Sequence, residues 1–170
     1  MMKSLLISLL LLGSGICYSQ NRLSDRIYFG GGGGFSAGNN FTSISLAPQL
    51  GYKVTDRYSA GFGLIYQYVR FPDFDQSISN YGWSVFNRYN VTQQFFAYSE
   101  FERLTFQQDL DNTDRIGFNS LFFGIGFSNP VGGNSAFSTS VLYNVLYVEG
   151  EPSPYRSPWV VRAGIGIGIF

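Results

Sequence analysis

The last twelve residues, Trp-Val-Val-Arg-Ala-Gly-Ile-Gly-Ile-Gly-Ile-Phe over 159–170, constrain the fold more than any other stretch. Successive side chains of a strand point to opposite faces, so Trp159, Val161, Ala163, Ile165, Ile167 and Ile169 share one face. Val160, Arg162, Gly164, Gly166, Gly168 and Phe170 share the other. The first face is apolar but for an indole nitrogen; the second is small, with one cation and a closing aromatic. A soluble strand of this kind hides its isoleucines inside. A strand of a membrane barrel turns them to lipid and points Arg162 and the glycines into a narrow lumen.

The rest of the chain repeats the alternation. Segments 26–36, 42–54, 57–70, 80–91, 95–107, 115–128 and 135–148 precede the terminal one, giving eight strands. Over 57–70, Tyr58, Ala60, Phe62, Leu64, Tyr66 and Tyr68 oppose Ser59, Gly61, Gly63, Ile65 and Gln67. Over 80–91, Tyr81, Trp83, Val85, Tyr89 and Val91 oppose Gly82, Ser84, Phe86, Arg88 and Asn90. The segment 95–107 is the least regular: Glu100 and Glu102 turn inward with Tyr98 and Leu104, which leaves Arg103 outward, where its long stem can reach water near the headgroups.

Composition narrows the class. With 17 Phe, 12 Tyr, 2 Trp and 21 Gly among 170 residues, zero net charge and no Lys/Arg cluster, the chain is neither disordered nor a nucleic-acid binder. The N-terminus reads as an export leader: Met1-Met2-Lys3, an apolar run over 5–12, then Cys17-Tyr18-Ser19. Cleavage is expected after Ser19, leaving residues 20–170 as one domain. Lipidation of Cys17 is the rival reading, disfavoured by bulky Ile16 before it. Without Cys17 the mature chain has no cysteine, hence no disulfide and no thiolate metal site.

Connections after the second, fourth and sixth segments are tight (55–56, 92–94 and 129–134), whereas 71–79, 108–114 and 149–157 are longer and carry charge or proline. Short turns on one rim, longer loops on the other and an even strand count predict an all-β, eight-stranded antiparallel up-and-down transmembrane β-barrel with its long loops outside the cell. Aromatics mark both expected interfaces: Tyr52, Tyr58, Tyr89, Phe95, Phe127 and Phe137 near the short turns, and Phe35, Tyr66, Tyr68, Tyr81, Trp83, Tyr147 and Trp159 near the long loops.

On this layout and on terminal Phe170, the chain resembles the small eight-stranded outer-membrane barrels of Gram-negative bacteria, the family of the OmpA transmembrane domain and OmpX. The resemblance implies insertion by the barrel-assembly machinery, which reads a C-terminal aromatic such as Phe170, and contact with outer-membrane lipid and lipopolysaccharide. The family sets apolar residues on the terminal aromatic's own face, whereas here Gly164, Gly166 and Gly168 occupy it. Either a bulge shifts the phase before Phe170 or the assembly signal is a variant. The alternative fold is a soluble, secreted, lipocalin-like barrel with the same aromatics facing inward.

Polarity favours the membrane reading. The inner face would carry Lys53, Arg88, Glu100, Glu102 and Arg162 among small residues, and unpaired charges in so narrow a space are costly. Glu100 and Glu102 are therefore expected to find Arg88 and Arg162, with Lys53 nearer the periplasmic rim. A plug that fixes the barrel's register and a proton or ion path are the two readings of this network. Gly30 to Gly34 lacks the Gly-Lys-Ser/Thr sequel of a phosphate loop. It would instead pair with the terminal strand, so that Gly31, Gly33, Gly164, Gly166 and Gly168 form a bare closing seam, a docking groove for a partner membrane protein or an acyl chain.

Asp109, Asp111 and Asp114 alternate like calcium ligands but lack the central glycine and distal glutamate of such loops. Phe71, Phe74 and Tyr155 among the loop acids suggest an outer contact surface, a second place for a partner. Small barrels of this kind that are enzymes use a histidine, and this chain has none. No cofactor is implied. Two functions remain: a non-enzymatic structural or interaction barrel, serving as an accessory subunit of a larger outer-membrane complex, and a barrel that binds or passes a small apolar molecule.

Overall fold

A computed structural model describes residues 25–37, 42–107, 115–151, 153–155 and 157–168. The expected leader 1–19, the candidate calcium residues Asp109, Asp111 and Asp114, and the assembly residue Phe170 lie outside the described residues. Eight strands, β1 (Ile27–Ala37), β2 (Thr42–Lys53), β3 (Tyr58–Phe71), β4 (Gln76–Asn90), β5 (Phe95–Gln107), β6 (Arg115–Gly132), β7 (Ser135–Asn144) and β8 (Trp159–Ile167), form one closed barrel in chain order. Every neighbouring pair is antiparallel, and β1 closes on β8.

The two faces are sorted as the alternation predicts. Leu64, Phe62, Val85, Ile125, Val141, Val161, Ile165 and Ile167 lie exposed on the outer wall. Phe86, Phe122, Leu142, Glu100, Glu102 and Asn144 are fully buried inside.

Inside, bulk is matched to glycine across the strands. Tyr28 stands opposite Gly51, Phe86 opposite Gly61, Phe96 opposite Gly126, Leu142 opposite Gly124 and Leu104 opposite Gly82. A Cβ on Gly51, Gly61 or Gly126 would run into the ring of its partner. An eight-stranded barrel leaves room for little more than its own side chains, so each large inward residue covers the bare backbone facing it.

Two short turns share one device. Thr55 Oγ1 accepts the Tyr58 amide (2.9 Å) and Thr92 Oγ1 accepts the Phe95 amide (2.9 Å), so a threonine hydroxyl supplies the local bond that closes each turn.

Three expected connections differ. Residues 71–79 do not form a loop: β3 and β4 stay paired out to Phe71 and Gln76 around a 3-10 turn at Pro72–Phe74. Proline presets the first turn residue, and Asp75 takes the left-handed conformation (φ 48°) that ends it. The expected turn 129–134 shrinks to Gly133 and Asn134, because β6 continues to Gly132 through an irregularity between Pro130 and Gly132, a place where a residue without an amide hydrogen is tolerated. Conversely, β7 stops at Asn144 instead of reaching Val148. The Asn144 Oδ1 accepts the amides of Leu121 and Leu146 (3.1 Å each), which turns the chain out of the sheet. Tyr147 therefore belongs to the loop that leads to β8, not to a strand.

Candidate functional site: a polar strut and an unclosed seam

The inner face of β5 presents Tyr98, Glu100, Glu102 and Leu104 in succession, and the register decides what flanks each. Glu100 lies between Phe86 of β4 and Phe122 of β6, two fully buried rings; Glu102 lies between Ser84 and Ser120. Both carboxylates are 1% exposed, so each requires a partner. Arg162 supplies it from β8, across the lumen. One guanidinium nitrogen binds Glu100 and the other donates to Glu102 Oε2 at 3.0 Å. The guanidinium carbon also sits 4.8 Å from the centre of the Phe122 ring.

A fourth member comes from the loop before β8. Tyr155 donates its hydroxyl to Glu102 Oε1 at 2.5 Å and meets Phe122 edge-on at 5.4 Å. The early end of β7 gives this loop the length to fold back over the barrel mouth. The expectation that Tyr155 belongs to an outward contact surface is thus corrected: it roofs the lumen. Nothing in the sequence pattern separates an aromatic that folds in from one that faces out; only the excess of carboxylate over cation on one strand hints that another donor is needed.

Two of the five expected network residues are not in this cluster. Arg88 stands one inward row below Glu100, opposite Tyr98. Its Nε donates to Asn90 Oδ1 at 2.9 Å, and its guanidinium lies over the Phe96 ring at 3.7 Å. The stem points towards the short turns, away from both glutamates. Lys53, the last residue of β2, stands at the short-turn mouth beside Asp56. Arg103 faces outward as expected and donates to Asn119 Oδ1 at 2.9 Å.

The closing seam is made by glycine, though not by all five expected residues. The ladder between β1 and β8 runs over four positions, from Phe29 with Ile167 to Gly32 with Gly164. Gly31 pairs with Ile165, and Gly30 with Gly166. Gly31 has φ 147°, and a Cβ there would lie 2.9 Å from the Pro48 Cα, so only glycine fits. Gly33 pairs with Leu46 of β2 and Gly168 lies past the end of β8, its amide bonded to Asn134 O at 2.7 Å. Beyond Gly32 the strands part. Among the described residues, the ladders of Gly33–Ala37 run to β2 and those of Trp159–Ala163 to β7, with none between the two.

A cavity of about 350 Å³ lies behind this gap. Its walls include the inward Tyr28, Gln49, Arg88, Tyr98 and Arg162, so the lumen is not completely filled. They also include Leu46, Val161 and Ile165, which are 56, 74 and 58% exposed on the outer face. Gly30 to Gly33 of β1 and Val161 to Gly166 of β8 both line it, so the cavity lies against the stretch where the two strands are unpaired. Outside the same seam, a wider apolar groove is floored by Gly30 to Gly32, Ala47 and Pro48 and edged by Phe29, Leu64, Tyr81 and Ile167.

The class so defined is a closed eight-stranded antiparallel barrel, apolar outside, with an ionic strut across its lumen. Among solved structures it is similar to the N-terminal β-barrel domain of OprF from Pseudomonas aeruginosa, at 14% identity over 84% of this chain and 96% of that one, with a TM-score of 0.47. No protein-family model and no curated protein matches the chain. The assignment of fold rests on the hydrogen-bonded ladders themselves.

Proposed function

We propose that this is a non-enzymatic outer-membrane β-barrel whose lumen is locked by the Arg162 strut, acting as a structural or interaction protein at the membrane, and specifically as an accessory subunit of a larger outer-membrane complex. The observation that carries the membrane reading is orientation: isoleucine, valine, leucine and aromatic side chains cover the outer wall while the ions and serines are buried within. Water around that wall would face a continuous apolar surface far larger than soluble monomers expose. Among the described residues no helix is long and apolar enough to cross a membrane; strands joined into a barrel bond their backbones to one another and can cross in its place. The outward Tyr52, Tyr89, Phe95 and Phe127 near the short turns, and Tyr66, Tyr81, Trp83 and Trp159 towards the other rim, suit two headgroup belts. Export through a cleaved leader and insertion by the assembly machinery complete this reading.

The test is refolding into phosphatidylcholine vesicles. A barrel that floats with the vesicles and migrates faster on gels before boiling than after supports the proposal; protein left soluble and monomeric without lipid overturns it. In planar bilayers the strut and its tyrosine roof predict no steady conductance. Partners are sought by cross-linking in native membranes, where a stoichiometric outer-membrane partner supports the accessory role and isolated barrels contradict it.

The unclosed seam favours a second reading, a barrel that binds a small apolar molecule entering from the side.

A further inference from the structure

Arg88 is the buried charge that the strut leaves out. It is 7% exposed, yet Asn90 Oδ1 is the one acceptor it meets among the described residues, through Nε. Neither Nη has an acceptor there, and no carboxylate pairs with it within 4 Å. Both glutamates on the inner face are already taken by Arg162. Arg88 lines both the cavity behind the gap between β1 and β8 and the space at the short-turn mouth. A largely buried guanidinium with no carboxylate counter-ion among the described residues is costly; an anion delivered by a ligand removes that cost, and a guanidinium fork suits a carboxylate above all.

The remaining walls choose the rest of the ligand. Tyr28, Phe86, Phe96, Ile65 and Leu104 make most of the cavity lining apolar, and its volume of about 350 Å³ falls at the small end of the roughly 300–1,000 Å³ typical of ligand pockets. The exit is flanked by Leu46, Val161, Ala163 and Ile165, which continue into the apolar outer surface. A molecule that fits must be anionic at one end, narrow and apolar along its length, and able to enter from the bilayer.

We propose that the lumen binds a single-chain amphiphile with an anionic end, in its simplest form a long-chain carboxylate, which enters between β1 and β8 and pairs its carboxylate with Arg88. The inference rests on the second reading above and names its ligand. The strut and Tyr155 stand between the cavity and the long-loop mouth, so the side gap is the entrance from the bilayer.

The full barrel in vesicles is labelled with palmitic acid carrying a chain diazirine, and the adducts are mapped by mass spectrometry. Adducts on the inward Tyr98, Gln49 or Gln67, displaced by unlabelled palmitate, are expected. Hexadecanol with the same photolabel should mark these residues at least ten-fold less, a comparison that needs no variant. Arg88→Gln should lower inner labelling by ten-fold or more, and Ala163→Trp, which sets bulk at the lip of the gap on the lipid side, should abolish it. Phosphatidylcholine labelled in one chain should mark the outer face alone. Inner labelling by this lipid as strong as by palmitate, equal labelling by acid and alcohol, or adducts confined to the outer wall would each overturn the proposal. Vesicle flotation and the gel shift are read on every sample, so loss of the membrane barrel itself registers separately from an intact barrel with an empty lumen.

Discussion

At the residue scale, Arg162 is the side chain on which the interior depends. It answers two carboxylates that no other cation among the described residues reaches, and removing it leaves both buried without a counter-ion there. Arg162→Met is expected to destabilise the barrel by about 3–5 kcal/mol, the usual cost of breaking a buried pair from one side. Adding Glu100→Gln and Glu102→Gln should recover most of the loss, because the uncompensated charges go with it. Urea unfolding of the refolded barrel, followed by gel shift, measures both; additive losses in the triple variant would refute the strut. Tyr155→Phe removes the loop's bond to a buried charged group, at a cost of about 1–3 kcal/mol. It should also open the 145–158 loop to protease while the barrel stays resistant, and an unchanged loop would mean that Tyr155 is no roof.

Among elements, the strands interlock through glycine and bulk in register. Gly61→Ala drives a methyl into the Phe86 ring and Gly126→Ala one into Phe96, each expected to cost about 1–3 kcal/mol by overpacking. Gly133→Ala probes a different effect, since φ is 56° there with open space around it: the cost is backbone strain alone, about 1 kcal/mol. Equal losses at all three would say that packing inside the barrel is not what the glycines serve.

This scale also shows what could be read before any coordinates. Alternation revealed the faces because side-chain period in a strand is fixed, and β5 was placed correctly even with its two glutamates on one face. Strand ends were less legible. Asn144 ends β7 by a side-chain bond that no hydrophobic pattern contains, and Pro72 tightens a hairpin that composition marks as a loop. The partner of Glu100 and Glu102 was half legible: Arg162 shares their face, but so does Arg88, and the choice between them depends on the barrel's stagger. Tyr155 and the gap above Gly32 depend on loop length and on where a ladder stops. Neither is encoded in a local pattern.

For the whole molecule, the decisive property is which side of the wall meets hydrocarbon. Ile125→Arg places a cation on the outer face and should destabilise the inserted barrel by about 2–4 kcal/mol if that position lies near the bilayer midplane. Arg57, Arg70 and Arg115 stand near the strand ends, where water is close in the proposed bilayer. In the proposed bilayer, a chain this rich in exposed isoleucine and phenylalanine needs no net charge to stay dispersed, because lipid covers the wall in place of like-charge repulsion.

The most direct test is nuclear magnetic resonance of the barrel in lipid nanodiscs, read as magnetisation transfer from lipid acyl-chain protons to side chains. Strong transfer to the methyl groups of Ile125, Val161, Ile165 and Ile167, with none to Leu142 or the Phe122 ring, is the predicted result. Acyl-chain transfer to Leu142, with water instead in contact with Ile165, would contradict the account.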